Sequence, residues 1–278
     1  MQNIKAYFKP ATLAEALKLL RESPGNGQWI AGGTRIAVAK DPALDFLVDI
    51  TSCGLNKIQE TERQLEIGAC TTLEDLNQSD LIHKFASGVL AETARWTGSM
   101  QLRNSATVGG SIVTRADIAL ALIALDAQIV IVGDAERTVS LAEFYKNNNK
   151  TLRKGELIKV CVLPGEFRKA TGSALRLSRT HQDVSLVGVA AVLFMNNGKC
   201  QKVRLAVEPV ISGMTRVPHA EAMLEGQAVT EDLINKVVAT VTQEVQPVDD
   251  YRASAAYRRK MFGVYTKRTL GNCVSIIK

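Results

Sequence analysis

The stretch Arg103-Asn-Ser-Ala-Thr-Val-Gly-Gly-Ser-Ile112 decides the reading of this chain, together with a shorter counterpart, Trp29-Ile-Ala-Gly-Gly-Thr-Arg-Ile36. Each is a glycine pair flanked by small or hydroxyl side chains and backed by apolar residues. Glycine lets the main chain turn through positive φ and come close to a ligand. Consecutive N–H groups in such a turn can converge on an anion. Two such segments can grip one long, doubly charged ligand from two sides, and a dinucleotide pyrophosphate fits that description. The alternative is a pair of ordinary glycine turns between strands, because short motifs match by chance.

Composition narrows the classes. The chain has 278 residues, 46% hydrophobic and 22% charged, the balance of a globular protein with one large domain or two to three small ones. The net charge of +6 is spread along the sequence, without a dense basic block interleaved with aromatics, which argues against nucleic-acid binding. No apolar run approaches the ~20 residues that span a bilayer, and no signal peptide is read at the start. The expected location is the cytoplasm. Cys53, Cys70, Cys161, Cys200 and Cys273 are widely spaced, and His83, His181 and His219 are scattered. Neither a disulfide framework nor a Cys- or His-ligated metal centre is expected within this chain.

Periodicity predicts a mixed α/β N-terminal part followed by a small antiparallel sheet with helices. Phe8 ends a strand, Thr12 caps a helix with Glu15 at capping-box spacing, and Gln28 to Ala31 reads as a buried strand turned by Gly32-Gly33. Further strands are predicted at Leu47–Ile50, Gln64–Ala69, Gln128–Val132 and Leu157–Leu163. Helices are predicted from Thr72, over about Phe85–Thr97, over Ala119–Leu125 and from Val139. After a boundary near 165–173, three strands (Ala174–Leu177, Ser185–Met195, Lys202–Val207) follow, the last two joined by the hairpin signal Asn196-Asn-Gly198. Helices are predicted at Pro218–Leu224, Glu231–Val245 and Tyr251–Leu270, with Met261, Val264 and Tyr265 of the last facing the sheet.

Several chemistries are excluded by missing motifs. There is no Gly-x-Gly-x-x-Gly after a strand, no Gly-x-x-x-x-Gly-Lys-Ser/Thr and no Gly-x-Ser-x-Gly. What remains is the pair of glycine segments, with hydroxyls at Thr34, Thr107 and Ser111. Asp117 lies six residues past Ser111. It can cap the apolar helix that begins at Ile118, or accept hydrogen bonds from ribose hydroxyls, and the two roles are compatible.

Ala-Gly-Gly-Thr followed by Arg-Asn-x-Ala-Thr-Val-Gly-Gly-Ser resembles the FAD-binding subunit of the molybdenum hydroxylases, the family of xanthine dehydrogenase and carbon monoxide dehydrogenase. The resemblance runs over nearly the whole chain. It implies an α+β fold, with a two-subdomain FAD-binding region of the vanillyl-alcohol-oxidase type over residues 1–168 (subdomains about 1–55 and 56–168). A C-terminal domain of the carbon monoxide dehydrogenase flavoprotein type would cover 169–278, as a small antiparallel sheet with helices. It implies non-covalent FAD contacts from Ile30, Ala31, Gly32, Gly33, Thr34, Arg35 and Ile36, and from Thr107, Gly109, Gly110, Ser111 and Asp117. It also implies Ile158 packed near the flavin and Arg176 at the flavin or its pyrophosphate. The molybdenum cofactor and the [2Fe–2S] clusters would sit on a large and a small partner subunit, with NAD⁺ or another molecule accepting electrons. The sequence departs from the family at Ser111, where Asn is usual, and in the shorter segment from Ser111 to Asp117. A stand-alone flavin oxidoreductase and a flavin-free assembly module of the same fold are the alternatives.

Overall fold

Short strands separated by turn residues assemble into three sheets among the described residues, which in this computed structural model are 4–39, 41–146, 152–210 and 213–277. The first sheet is parallel: β1 (Ala6–Phe8), β2 (Gly27–Ile30) and β3 (Phe46–Asp49) lie in the order β1-β3-β2. Parallel strands need a crossover. The helix Leu13–Glu22 supplies it between β1 and β2, burying Ala16 completely. Thr12 caps this helix by accepting the Glu15 N–H at 3.2 Å. The Glu15 carboxylate reaches the N–H of Ala11 at 3.1 Å, one residue short of the reciprocal bond of a full capping box.

The second sheet is antiparallel and contains β4 (Ile58–Glu60), β5 (Gln64–Gly68), β6 (Gln128–Val132), β7 (Glu136–Ser140) and β8 (Leu157–Pro164), in the order β4-β5-β8-β6-β7. Strand β7 corrects the expectation of a helix from Val139. The strand runs to Ser140, whose hydroxyl accepts the Glu143 N–H at 3.2 Å and so opens the helix Leu141–Lys146. The expected Phe85–Thr97 helix is also corrected. Ala86, Ser87 and Gly88 adopt positive φ (47°, 55° and 75°), and the helix runs over Val89–Arg95. Packing imposes the kink: the Ala86 carbonyl lies so close to Gly172 that a Cβ there would come within 2.5 Å of it.

The third sheet is antiparallel, β12-β11-β10-β9, built from β9 (Thr171–Leu177), β10 (Val187–Asn196), β11 (Lys199–Val210) and β12 (Gly213–Arg216). Asn197 and Gly198 both have positive φ (49° and 75°), the backbone of a type I′ turn, and they join β10 to β11. Alternation divides this sheet between two cores. Ala190, Val192, Ala206 and Met214 face the second sheet and the wholly buried helix Ile118–Ala124. Val189, Ala191, Val203 and Leu205 face the helices Pro218–Leu224, Glu231–Glu244 and Ala255–Ile277.

The last helix begins four residues later than expected and extends past Leu270. Tyr251 precedes it in a turn and is 90% exposed. The apolar positions that sink fully against the sheet are Phe262, Leu270 and Cys273. Met261 and Tyr265 pack at the margin, and Val264 is half-buried.

Candidate functional site

A cleft of about 1180 Å³ opens where the three sheets meet. One wall begins at the end of β2. Ile30 accepts the Ile50 N–H at 3.0 Å and anchors the strand end, and the chain then leaves the sheet through Ala31 to Arg35. Gly33 takes φ +68°, a conformation only glycine adopts freely. Gly32 meets the other glycine segment directly: a Cβ there would sit 1.5 Å from the Ser105 carbonyl oxygen. The two segments are therefore pressed main chain to main chain. Among the described residues, the N–H groups of Gly32, Gly33, Thr34 and Arg35 donate to no partner. All four residues line the cleft.

The second segment is built differently from the sequence expectation. Its glycines form the first turn of the helix Val108–Thr114, and neither has positive φ. The Val108 and Gly109 N–H groups donate to the Thr71 and Ala69 carbonyls at 2.9 and 2.8 Å. Thr107 caps the helix, its hydroxyl accepting the Gly110 N–H at 3.3 Å and its carbonyl the Ser111 N–H at 2.8 Å. These N–H groups are already spent. Gly109 serves packing, since a Cβ there would come within 2.8 Å of the Ala69 Cβ. What this segment offers the cleft is small, closely approachable surface at Thr107, Gly109, Gly110 and Ser111.

Ile36 and Ile158 complete the apolar side of the same cleft, with Ile158 also part of the main core. Asp117 lines the cleft but does not cap the Ile118 helix through its side chain. Its Oδ2 instead accepts Arg176 Nη1 at 2.9 Å and the Ser185 hydroxyl at 2.7 Å. Among the described residues only that carboxylate oxygen is engaged.

Arg176 is the one sequence candidate that stands behind the wall rather than on it. Its guanidinium donates to Asp117 and to the main-chain carbonyls of Asp183 and His181, and stacks 5.4 Å from the Trp96 ring centre. Only 8% of its side chain is exposed. These bonds make it a buckle that ties β9, the Ile118 helix and the 181–185 loop together.

Among the lining groups that sequence reasoning did not single out are four that can stack, donate or carry charge. Trp96 comes from the end of the Val89 helix, Ser185 from the loop before β10, Arg252 from the turn before the last helix, and Glu208 from β11. None sits in a recognisable motif. They reach the cleft only through pairings between segments distant in sequence. Glu208 is 5% exposed, and its Oε1 has no hydrogen-bond partner among the described residues. Burial pushes its carboxyl well above the usual carboxylate range. Nearby Asp117 adds to that effect and Arg176 opposes it.

A family described as the FAD binding domain in molybdopterin dehydrogenase matches residues 2–166. The chain belongs to that family. A second description, the CO dehydrogenase flavoprotein C-terminal domain, matches residues 175–273. The chain is 29% identical to the glyceraldehyde dehydrogenase medium chain of Sulfolobus acidocaldarius over 95% of its own length and 96% of that protein's. It is 28% identical to the xanthine dehydrogenase FAD-binding subunit of Escherichia coli O157:H7, covering 99% of this chain and 98% of that one. The solved carbon monoxide dehydrogenase of Hydrogenophaga pseudoflava contains a chain that superposes with a TM-score of 0.89 at 26% identity, over 98% of both chains. The protein is thus the medium, FAD-binding subunit of a molybdenum hydroxylase-type oxidoreductase, and its fold is the α+β arrangement expected from sequence. No described helix is long and apolar enough to cross a membrane.

Proposed function

We propose that the cleft holds FAD non-covalently and that this subunit relays electrons from [2Fe–2S] clusters on a small partner to NAD⁺ or another acceptor. The substrate would be oxidised at a molybdenum cofactor on a large partner. The observation that carries this reading is the row of four unspent main-chain N–H groups from Gly32 to Arg35 at a cleft of about 1180 Å³. That volume exceeds the ~300–1,000 Å³ of an ordinary small-molecule pocket, and a run of unspent N–H groups suits a pyrophosphate.

The residue roles follow from their placement. Gly32 to Arg35 would hold the pyrophosphate, with the Thr34, Thr107 and Ser111 hydroxyls beside it. Gly109 and Gly110 let the ligand lie close to the main chain. The free oxygen of Asp117 would accept from a ribose hydroxyl, and Arg176 fixes that carboxylate from behind. Ile30, Ala31, Ile36 and Ile158 would exclude water from the ring system. Bound FAD would supply the reversible redox step, passing electrons one or two at a time. We also infer a division near residue 168. The match of two separate family descriptions to 2–166 and 175–273 supports it.

The test is the visible spectrum of the purified subunit, with identification of the cofactor released by heat. Flavin bands near one per chain, FAD in the supernatant and their loss in Gly33→Asp support the proposal. A colourless subunit that does not take up added FAD sinks it. The electron-transfer part is tested in the assembled complex, where substrate should bleach the flavin and NAD⁺ or another acceptor should restore it.

A further inference from the structure

We propose that Glu208 is a hydrogen-bond donor to the dinucleotide in this cleft, a role resting on the reading that the cleft binds FAD. The geometry comes first. Glu208 lies near the end of β11 and lines the cleft, although only 5% of the residue is exposed. Its Oε1 is sealed beneath Gly188 of β10. A Cβ at Gly188 would come within 2.9 Å of that oxygen and of Leu120. No described group hydrogen-bonds either carboxyl oxygen, and Oε2 is the one of the two that is not sealed. Buried polar atoms in folded proteins find partners, so a carboxyl left without one beside a ligand cleft points to the ligand.

The charges around it decide which form the carboxyl takes. The charged and titratable groups that face it are Asp117 at the start of the Ile118 helix, Arg176 on β9 and Tyr145 on the Leu141 helix. Arg115 lies 5.2 Å over the Tyr145 ring, and its guanidinium donates to the Tyr145 carbonyl. The Tyr145 hydroxyl is committed to the Ile112 carbonyl at 2.7 Å. Arg176 is committed to Asp117 and two main-chain carbonyls. Among the described residues, Arg176 is the cation that acts on the Glu208 carboxyl, and it is already paired. A second carboxylate here would face Asp117 across a dry wall, and the dinucleotide would add further negative charge. A neutral acid avoids both repulsions and carries an O–H that needs an acceptor. A dinucleotide offers several: phosphate oxygens, ribose hydroxyls, ring nitrogens and carbonyls.

The experiment measures FAD affinity of the apo-subunit against pH for the wild type, Glu208→Gln and Glu208→Leu, with infrared difference spectra of the same samples. The expected wild-type affinity is constant at low pH and falls tenfold per pH unit once the free subunit's Glu208 ionises. Glu208→Gln keeps the low-pH affinity and loses that fall. Glu208→Leu binds FAD about 10-fold more weakly at low pH, the loss of one hydrogen bond. The infrared spectrum should show a protonated carboxyl band near neutral pH that moves when FAD is added and is missing from Glu208→Gln. If FAD binds but neither the band nor the affinity responds to Glu208, the proposal is overturned while the flavin reading stands. If the wild type binds no FAD, the reading beneath it is overturned as well.

Discussion

Gly32→Ala tests the join between the two glycine segments. A Cβ at residue 32 would lie 1.5 Å from the Ser105 oxygen, 2.5 Å from the Ser105 carbon and 3.3 Å from the Ala106 nitrogen. Ordinary contact begins near 3.4 Å, so the chains must part by roughly 1.9 Å (3.4 − 1.5). The obstacle is main chain, and no rotamer can move it. Both sides are pinned: the Ala106 N–H donates to Leu102 at 2.7 Å, the Ala106 carbonyl accepts Leu73 N–H at 2.9 Å, and Ile30 is tied to Ile50. Overpacking of this kind costs about 1–3 kcal/mol, and with both partners rigid the upper end applies. For a chain of this size that lowers Tm by roughly 5–10 °C. The effect on FAD is larger. With these N–H groups on the pyrophosphate as proposed, shifting them by nearly 2 Å would break hydrogen bonds to a charged group, each about 1.5–3 kcal/mol, so losing two would weaken binding at least ~100-fold. The assays are thermal unfolding of the apo-subunit and titration with FAD by fluorescence quenching. A Gly32→Ala subunit with wild-type Tm and wild-type FAD affinity would refute the reasoning.

Other outcomes follow from the same structure. Gly271 lies in the last helix with no atom within 4 Å of an added Cβ, so Gly271→Ala should stabilise by about 0.5–1 kcal/mol in urea unfolding and leave FAD binding unchanged. Arg176→Met strands the Asp117 carboxylate and should cost about 3 kcal/mol. Adding Asp117→Asn should recover part of that loss, a coupling that a double-mutant cycle reads directly. Glu208 has a raised folded-state pKa, so the native chain holds a proton that the unfolded chain releases. Its contribution to stability is therefore lost as pH rises from the ordinary carboxylate pKa toward the folded value. Glu208→Gln should be more stable than the wild type at neutral pH, with the difference shrinking in acid, as measured by unfolding midpoints across pH.

How much of this was legible in sequence depended on how local the signal was. The Thr72 cap, with Asp75 returning the bond, and the hairpin at Asn197-Gly198 are short-range features that side-chain chemistry dictates, and the structure contains both. The wholly apolar run Ile118–Ala124 needed no partner to be recognised as a buried helix. Strand β7 carries Glu136, Arg137 and Thr138, polar residues on a sheet edge whose pairing with β6 outweighs their composition. The kink at Ala86 comes from a contact with Gly172, far along the chain, which no local pattern encodes. The candidate site divides in the same way. The glycine segments announce themselves, whereas Trp96, Ser185 and Glu208 reach the cleft only because β9, β10 and β11 pair beside it.

The cleft also couples the parts of the chain on either side of residue 168. Gly32 to Arg35, Ser111 and Asp117 come from one side, and Ser185, Glu208 and Arg252 from the other. The main core is continuous between them, since Ala190, Val192 and Ala206 of the third sheet pack with Ile129, Ile131 and the Ile118 helix. A ligand that bridges both sides binds only when they are docked, so its binding energy adds to the stability of the docked state. FAD at 100 times its dissociation constant should stabilise the subunit by about 2.7 kcal/mol. The continuous core predicts that the added stability appears in one cooperative transition. Differential scanning calorimetry of apo- and FAD-loaded subunit checks this. Two transitions, with FAD shifting only one of them, would show that the cofactor is held by one side alone and that Ser185, Glu208 and Arg252 are bystanders at its edge.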